Sequence, residues 1–177
     1  MKKRNIQFII TTVLTVAVLM SACKKDNNTE CTETPGNTVA SAAEEAMVIK
    51  YLDSMGIASR VELDGSGLYY VIDTAGNSKR AGMCSSVTVT YKGYYRNGFV
   101  FDQATSARPA TFAQLSNLIE GWKRTLPLIG EGGVIRIFIP PSLGYGLSGW
   151  QNPNTGLYFI LPNAVLVFEM KLIRIND

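Results

Sequence analysis

Residue types able to do covalent or proton-transfer chemistry are few in this chain. It has no histidine and only three cysteines, Cys23, Cys31 and Cys84. A thiol becomes a nucleophile at neutral pH through a neighbouring base, for which histidine is the usual choice, so nucleophilic cysteine catalysis is disfavoured. The carboxylates show no ligand spacing and no imidazole is present, so neither a metal site nor a cofactor is expected. Gly144-Tyr145-Gly146-Leu147-Ser148-Gly149 satisfies the GxGxxG dinucleotide pattern. Such a loop must open directly into a helix, whereas Trp150-Gln151-Asn152-Pro153 follows here, so the segment reads as a turn.

What stands out instead is a set of spaced aromatic motifs. Phe101-Asp102 precedes Leu118-Ile119-Glu120-Gly121-Trp122, and Pro140-Pro141-Ser142-Leu143-Gly144-Tyr145-Gly146 follows. Val87-Thr88-Val89-Thr90-Tyr91-Lys92-Gly93 lies upstream and Ala164-Val165-Leu166-Val167-Phe168-Glu169 downstream. In this order they resemble the FK506-binding-protein (FKBP) type of peptidyl-prolyl isomerase over the last two-thirds of the chain.

The resemblance implies a pocket for a proline ring. Tyr91, Phe101, Trp122 and Phe168 match its aromatic walls, with Trp122 as the floor. Leu118 and Ile119 match an aliphatic rim, where the Ile119 backbone N–H would bind a substrate carbonyl. Tyr145 matches a hydroxyl donor at the mouth, Asp102 a carboxylate beside the reacting carbonyl, and Phe159 with Ile160 a distal loop. Tyr91 and Arg108 are the candidate donors to Asp102, a carboxylate costly to bury unpaired. The scarcity of acids, bases and nucleophiles fits the implied reaction, because rotation about an Xaa-Pro bond needs none. Departures from the family pattern are Ala110, where many relatives carry an aromatic wall, and a segment from Leu147 to Tyr158 longer than in the smallest members. Both alter the rim and the response to macrolide ligands more than the floor. The alternatives are a chaperone or interaction module that binds peptide in the same pocket without turnover, and a structural surface lipoprotein with a degenerate pocket.

The elements that must position these residues can be read from periodicity. From Thr38 to Met55 the apolar residues Val39, Ala43, Met47, Tyr51 and Met55 recur every four positions, with Val48 and Leu52 beside them, predicting an amphipathic helix. Thr38 or Ser41 can cap it, the latter with Glu44 at capping-box spacing, and Gly56 can end it. Strands are predicted around 66–72, 87–91, 134–139 and 165–175, with an Asn97-Gly98 hairpin turn between Tyr94-Tyr95 and Phe99-Val100-Phe101. A short helix is expected within 116–124, before Pro127. The expected class is α+β: a curled antiparallel sheet wrapped over one short helix (FKBP-like), preceded by the N-terminal amphipathic helix.

The N-terminus reads as targeting. Lys2, Lys3 and Arg4 precede an apolar run from Phe8 to Met20 that stops at Ser21-Ala22-Cys23. This resembles a bacterial lipoprotein signal, residues 1–22, with Cys23 acylated; a membrane-spanning helix, which needs ~20 apolar residues, is the alternative. Those three residues account for the basic excess of 17 over 14 acidic residues, leaving 14 of each sign. An evenly charged remainder argues against nucleic acid as a partner. Residues 23–37 read as a flexible tether, 38–56 as the helix and 57–177 as the FKBP-like domain. Whether Cys31 and Cys84 pair is open. The expected location is extracytoplasmic, anchored through the lipid to a bacterial membrane, with the outer membrane expected, on its periplasmic or surface face. The expected partners are proline-containing unfolded or exported polypeptides, with a macrolide as a possible ligand.

Overall fold

The computed structural model describes residues 32–177. The expected signal peptide, Cys23, Cys31 and the first part of the tether lie outside the described residues. Cys84 is disulfide-bonded, and the chain's two other cysteines are both outside the described residues.

The main sheet is built from β1 (Val61–Glu62), β2 (Tyr69–Thr74), β3 (Ser86–Tyr95), β4 (Val100–Ala104), β5 (Ala110–Phe112), β6 (Val134–Ile139) and β9 (Leu166–Asn176). Its order is β1-β2-β6-β9-β3-β4, with β5 also pairing β3. Every pairing is antiparallel. The long strand β3 organises one edge: Val87–Val89 pair with β5, and Tyr91–Tyr94 with β4. A separate two-stranded hairpin joins β7 (Trp150–Gln151) to β8 (Tyr158–Ile160). The Asn97-Gly98 turn forms as expected, with Gly98 at φ +83° and the Tyr95 N–H donating to the Phe99 carbonyl at 3.0 Å.

Alternation along the strands divides the apolar side chains between two faces. On β6, Ile135, Ile137 and Ile139 enter one core, while Phe138 enters the other. On β9, Leu166, Phe168 and Met170 lie with the isoleucines, and Val167 with Phe138. The first core is closed by the short helix α2 (Glu120–Thr125), whose Trp122 is buried in it. Gly121 permits the approach, since a Cβ there would lie 2.4 Å from the Ile139 Cδ1 atom.

The N-terminal helix α1 (Ala42–Ser54) covers the opposite face of the sheet. Ser41 is its N-cap with Glu44 completing the capping box, and Gly56, at φ +65°, follows its C-terminus. Its buried stripe differs from the four-residue repeat expected. Val48, Tyr51 and Leu52 are buried, whereas Val39, Ala43 and Met55 are exposed. A helix turns every 3.6 residues, so a spacing of four drifts ~40° per step and cannot keep one face over four steps. Spacings of three and four together do, and full burial of Val48 and Leu52 is worth roughly 1.5–3 kcal/mol each.

Candidate active site

One cavity of about 490 Å³ opens between α2, β3, β4, β9 and the loops after β6. Its floor is Trp122, four per cent exposed, with three rings set edge-on around it: Tyr91 at 5.1 Å, Phe168 at 5.2 Å and Phe112 at 5.5 Å between centroids. Phe101 packs edge-on against Phe168 at 5.5 Å. Edge-to-face packing is the favoured arrangement of aromatic quadrupoles, so the rings brace one another while leaving faces free for an apolar guest.

Backbone features admit this packing. Gly93 lies opposite both Phe168 and Asp102 in the sheet, and a Cβ on it would stand 2.7 Å from the Phe101 and Phe168 rings. A register shift between Gly93 and Tyr94 leaves Phe101 as the extra residue on β4. Adjacent strand residues ordinarily face opposite ways, and a bulge of this kind re-aims a side chain. Phe101 and Asp102 accordingly both line the cavity. Ile119, at φ −63° and ψ 152°, is the N-cap of α2 and stands with Leu118 on the rim.

The polar groups lie at the mouth. The Tyr91 hydroxyl donates to Asp102 Oδ2 at 2.6 Å, and the Gln103 N–H donates to Oδ1 at 2.8 Å. Of the two donors expected for Asp102, Tyr91 is the one used, and Arg108 is not among its partners within the described residues. Asp102 itself is exposed, which corrects the expectation of a carboxylate buried in the pocket. Burial pushes the Tyr91 phenol up from its ordinary 10.0, and the hydrogen bond and charge of Asp102 push it further. The Tyr145 phenol is raised as well, by burial first and then by the charge of Asp102. Both hydroxyls therefore stay protonated and able to donate at neutral pH.

All ten residues expected at the site line this cavity: Tyr91, Phe101, Asp102, Leu118, Ile119, Trp122, Tyr145, Phe159, Ile160 and Phe168. Three lining residues were not anticipated: Phe112, Asn117 and Trp150. Phe112 had a legible signal, since it stands two residues after Ala110 and so on the same face of β5. Ala110 is packed against the first core, and Phe112 supplies an aromatic wall beside it. Trp150 enters through the β7–β8 hairpin, read from sequence as part of a long loop.

A family model described as FKBP-type peptidyl-prolyl cis-trans isomerase matches residues 77–173, more than half of the chain. The outer membrane protein MIP of Legionella longbeachae is 39% identical over 112 residues, which cover 63% of this chain and 45% of that protein. The crystal structure of FkpA from Escherichia coli matches with a TM-score of 0.64 at 32% identity, over 77% of this chain and 61% of that one. A peptidyl-prolyl cis-trans isomerase from Pseudomonas syringae pv. tomato matches with a TM-score of 0.62 at 26% identity, over 80% of this chain and all of that one. The chain spans a little under half the length of the curated relatives it matches.

Proposed function

Since the chain belongs to the FKBP-type peptidyl-prolyl cis-trans isomerase family, we propose that it accelerates rotation about Xaa-Pro bonds in exported polypeptides, with the Trp122 cavity as its site. The observation that carries this reading is a cavity walled by interlocking rings, with the hydrogen-bonded Tyr91–Asp102 pair among its lining residues. The barrier to rotation, ~18–20 kcal/mol, comes from amide resonance. A planar amide is more polar than the twisted transition state, in which resonance is lost. Seating the proline ring on Trp122 strips water from the reacting bond and disfavours the planar form. Ile119 N–H binds a substrate carbonyl, Tyr145 donates at the mouth, and Asp102, oriented by Tyr91, acts by position and field. Lowering the barrier by about 5–6 kcal/mol would speed the step roughly ten-thousandfold, from tens of seconds to milliseconds.

The extracytoplasmic assignment draws on the signal-like N-terminus and on a relative named as an outer membrane protein. We propose processing after Ala22, acylation of Cys23, and the division at 23–37, 38–56 and 57–177 into tether, helix and isomerase domain. Among the described residues no helix is long and apolar enough to cross a membrane. A macrolide ring would occupy the proline pocket, with affinity reset by Ala110 and the β7–β8 hairpin.

The deciding experiment is protease-free isomerisation of an Xaa-Pro peptide by the full chain, followed by NMR exchange. The expected result is catalytic exchange that a macrolide or a competing peptide suppresses. Binding without accelerated exchange would leave only the peptide-binding alternative.

A further inference from the structure

The short helix α2 carries the pocket floor on one side and a partly buried ion cluster on the other. Glu120 pairs with Lys123 through Oε1 and with Arg124 through Oε2, the latter at 3.5 Å, and no side chain of the three is more than 19% exposed. One carboxylate therefore meets two cations, and charge held away from water requires further acceptors. The Gly36 carbonyl is such an acceptor, taking a hydrogen bond from the Arg124 guanidinium. Gly36 also lies close against the carboxylate, since a Cβ there would stand 3.1 Å from Glu120 Cδ and from both its oxygens.

Further along, the same segment is fastened a second time. The Ala40 N–H donates to the Ser66 carbonyl at 2.9 Å, and Ala40 is buried in the first core. Gly67, at φ +74°, makes room for it, because a Cβ there would lie 2.9 Å from the Ala40 Cβ. Between these points Asn37, Thr38 and Val39 are exposed and cross a cavity of about 540 Å³. Residues 36–40 thus form a strap held at its two ends, from the outer side of α2 to the turn between β1 and β2.

A six-residue helix is too short to hold its own orientation in water, so packing contacts set it. Gly121 and Trp122 fix its inner side. Resting on the isomerase reading, we propose that Arg124, docked on Gly36 and backed by Glu120, is a positioning residue that fixes the outer side and so holds Trp122 and the Ile119 N–H in place for catalysis. Glu120, Lys123 and Arg124 do not line the catalytic cavity, so they act through α2 and do not touch substrate. The strap joins the proposed tether to α1, and the segment that leads from the anchor thereby supports the pocket floor.

The test is NMR exchange, with nitrogen–proton correlation spectra, on the full chain and two variants. Gly36→Val drives a branched side chain into the Glu120 carboxylate and lifts the strap. Arg124→Lys keeps a positive charge beside Glu120 but replaces the fork that reaches Gly36 with a single ammonium. Each is expected to lower kcat about fivefold with KM within about twofold of wild type, because a displaced floor still accepts the ring but no longer holds it in line for rotation. The Ile119 amide and Trp122 indole N–H resonances should shift in both. The double variant should lose no more than either single one, since both break the same contact. Thr38→Ala, on the strap but at neither of its ends, should match wild type. Thermal melts report whether the variants remain folded, and if Arg124→Lys does not, Gly36→Val, altered only on the strap, decides. Wild-type kcat in a folded Gly36→Val protein overturns the proposal, as do losses that add in the double variant or that fall on KM alone. Absence of exchange in the wild type would remove the isomerase reading itself, and the positioning role with it.

Discussion

Trp122, Gly93 and Asp102 divide the work of the cavity among floor, space and field. Trp122→Leu keeps an apolar floor but removes the flat face and its three edge contacts. It should lower kcat/KM at least about tenfold while costing less stability than the ~3–5 kcal/mol of a truncation to alanine. Wild-type exchange rates in a folded variant would show that catalysis lies elsewhere. Gly93→Ala drives a methyl into Phe101 and Phe168, so the urea midpoint should fall by the equivalent of about 1–3 kcal/mol, with turnover falling too. Under the proposed mechanism Asp102 acts by position and field, so Asp102→Asn should reduce exchange only partly. The Tyr91 phenol is raised above 10.0, chiefly by burial, so its donated hydrogen bond is intact below that value and lost only as pH climbs through the elevated one. Activity should therefore stay flat between about pH 6 and 8, where carboxylates are ionised and phenols are not. A steep profile in that range would point to acid–base chemistry instead.

At the scale of elements, α1 acts on the site through one carboxylate. Glu44 Oε2 accepts from the Ser41 N–H that starts the helix, at 2.9 Å, and Oε1 accepts from the Ser142 N–H at 3.0 Å. Ser142 lies in the turn Pro141–Leu143, which leads directly to Tyr145. One side chain thus caps a helix on the far face of the sheet and pins the loop carrying a pocket hydroxyl. Burial pushes the Glu44 carboxyl up, but hydrogen bonds from Ser41 and Ser142 outweigh it and hold it below its ordinary 4.5. A depressed carboxyl stabilises the fold above its unfolded value and loses that contribution as pH falls through the folded one. Unfolding midpoints should decline below about pH 4.5, and Glu44→Ala should flatten that decline while costing ~0.5–2 kcal/mol at neutral pH. An unchanged pH dependence in the alanine variant would remove Glu44 from this role.

For the whole molecule, the proposed lipid at Cys23 would set where the protein works. Cys23→Ala should move the protein from the membrane pellet to the soluble fraction, and a variant that still pellets would mean that the apolar segment from Phe8 to Met20 is retained as the anchor. Residues 32–39, between that N-terminus and the fold, are exposed, and the Gly36 carbonyl accepts from Arg124 of α2. The chain therefore meets its folded part beside the helix that carries the pocket floor.

Local order along the chain carried much of this architecture. The alternation of β3, the Asn97-Gly98 turn and the Ser41–Glu44 capping box are short-range patterns, and each formed as its backbone chemistry requires, while the spaced aromatics were legible through the family resemblance and line one cavity. Four features emerged only with the fold: the face of the sheet that α1 covers, the bulge that turns Phe101 beside Asp102, the choice of Tyr91 over Arg108 as donor to that carboxylate, and the entry of Trp150 into the rim. Each depends on contacts between residues far apart in the chain. Periodicity states that a side chain is apolar and faces one way, whereas its partner is decided by register and packing, once the seven-stranded sheet has packed against Trp122 of α2.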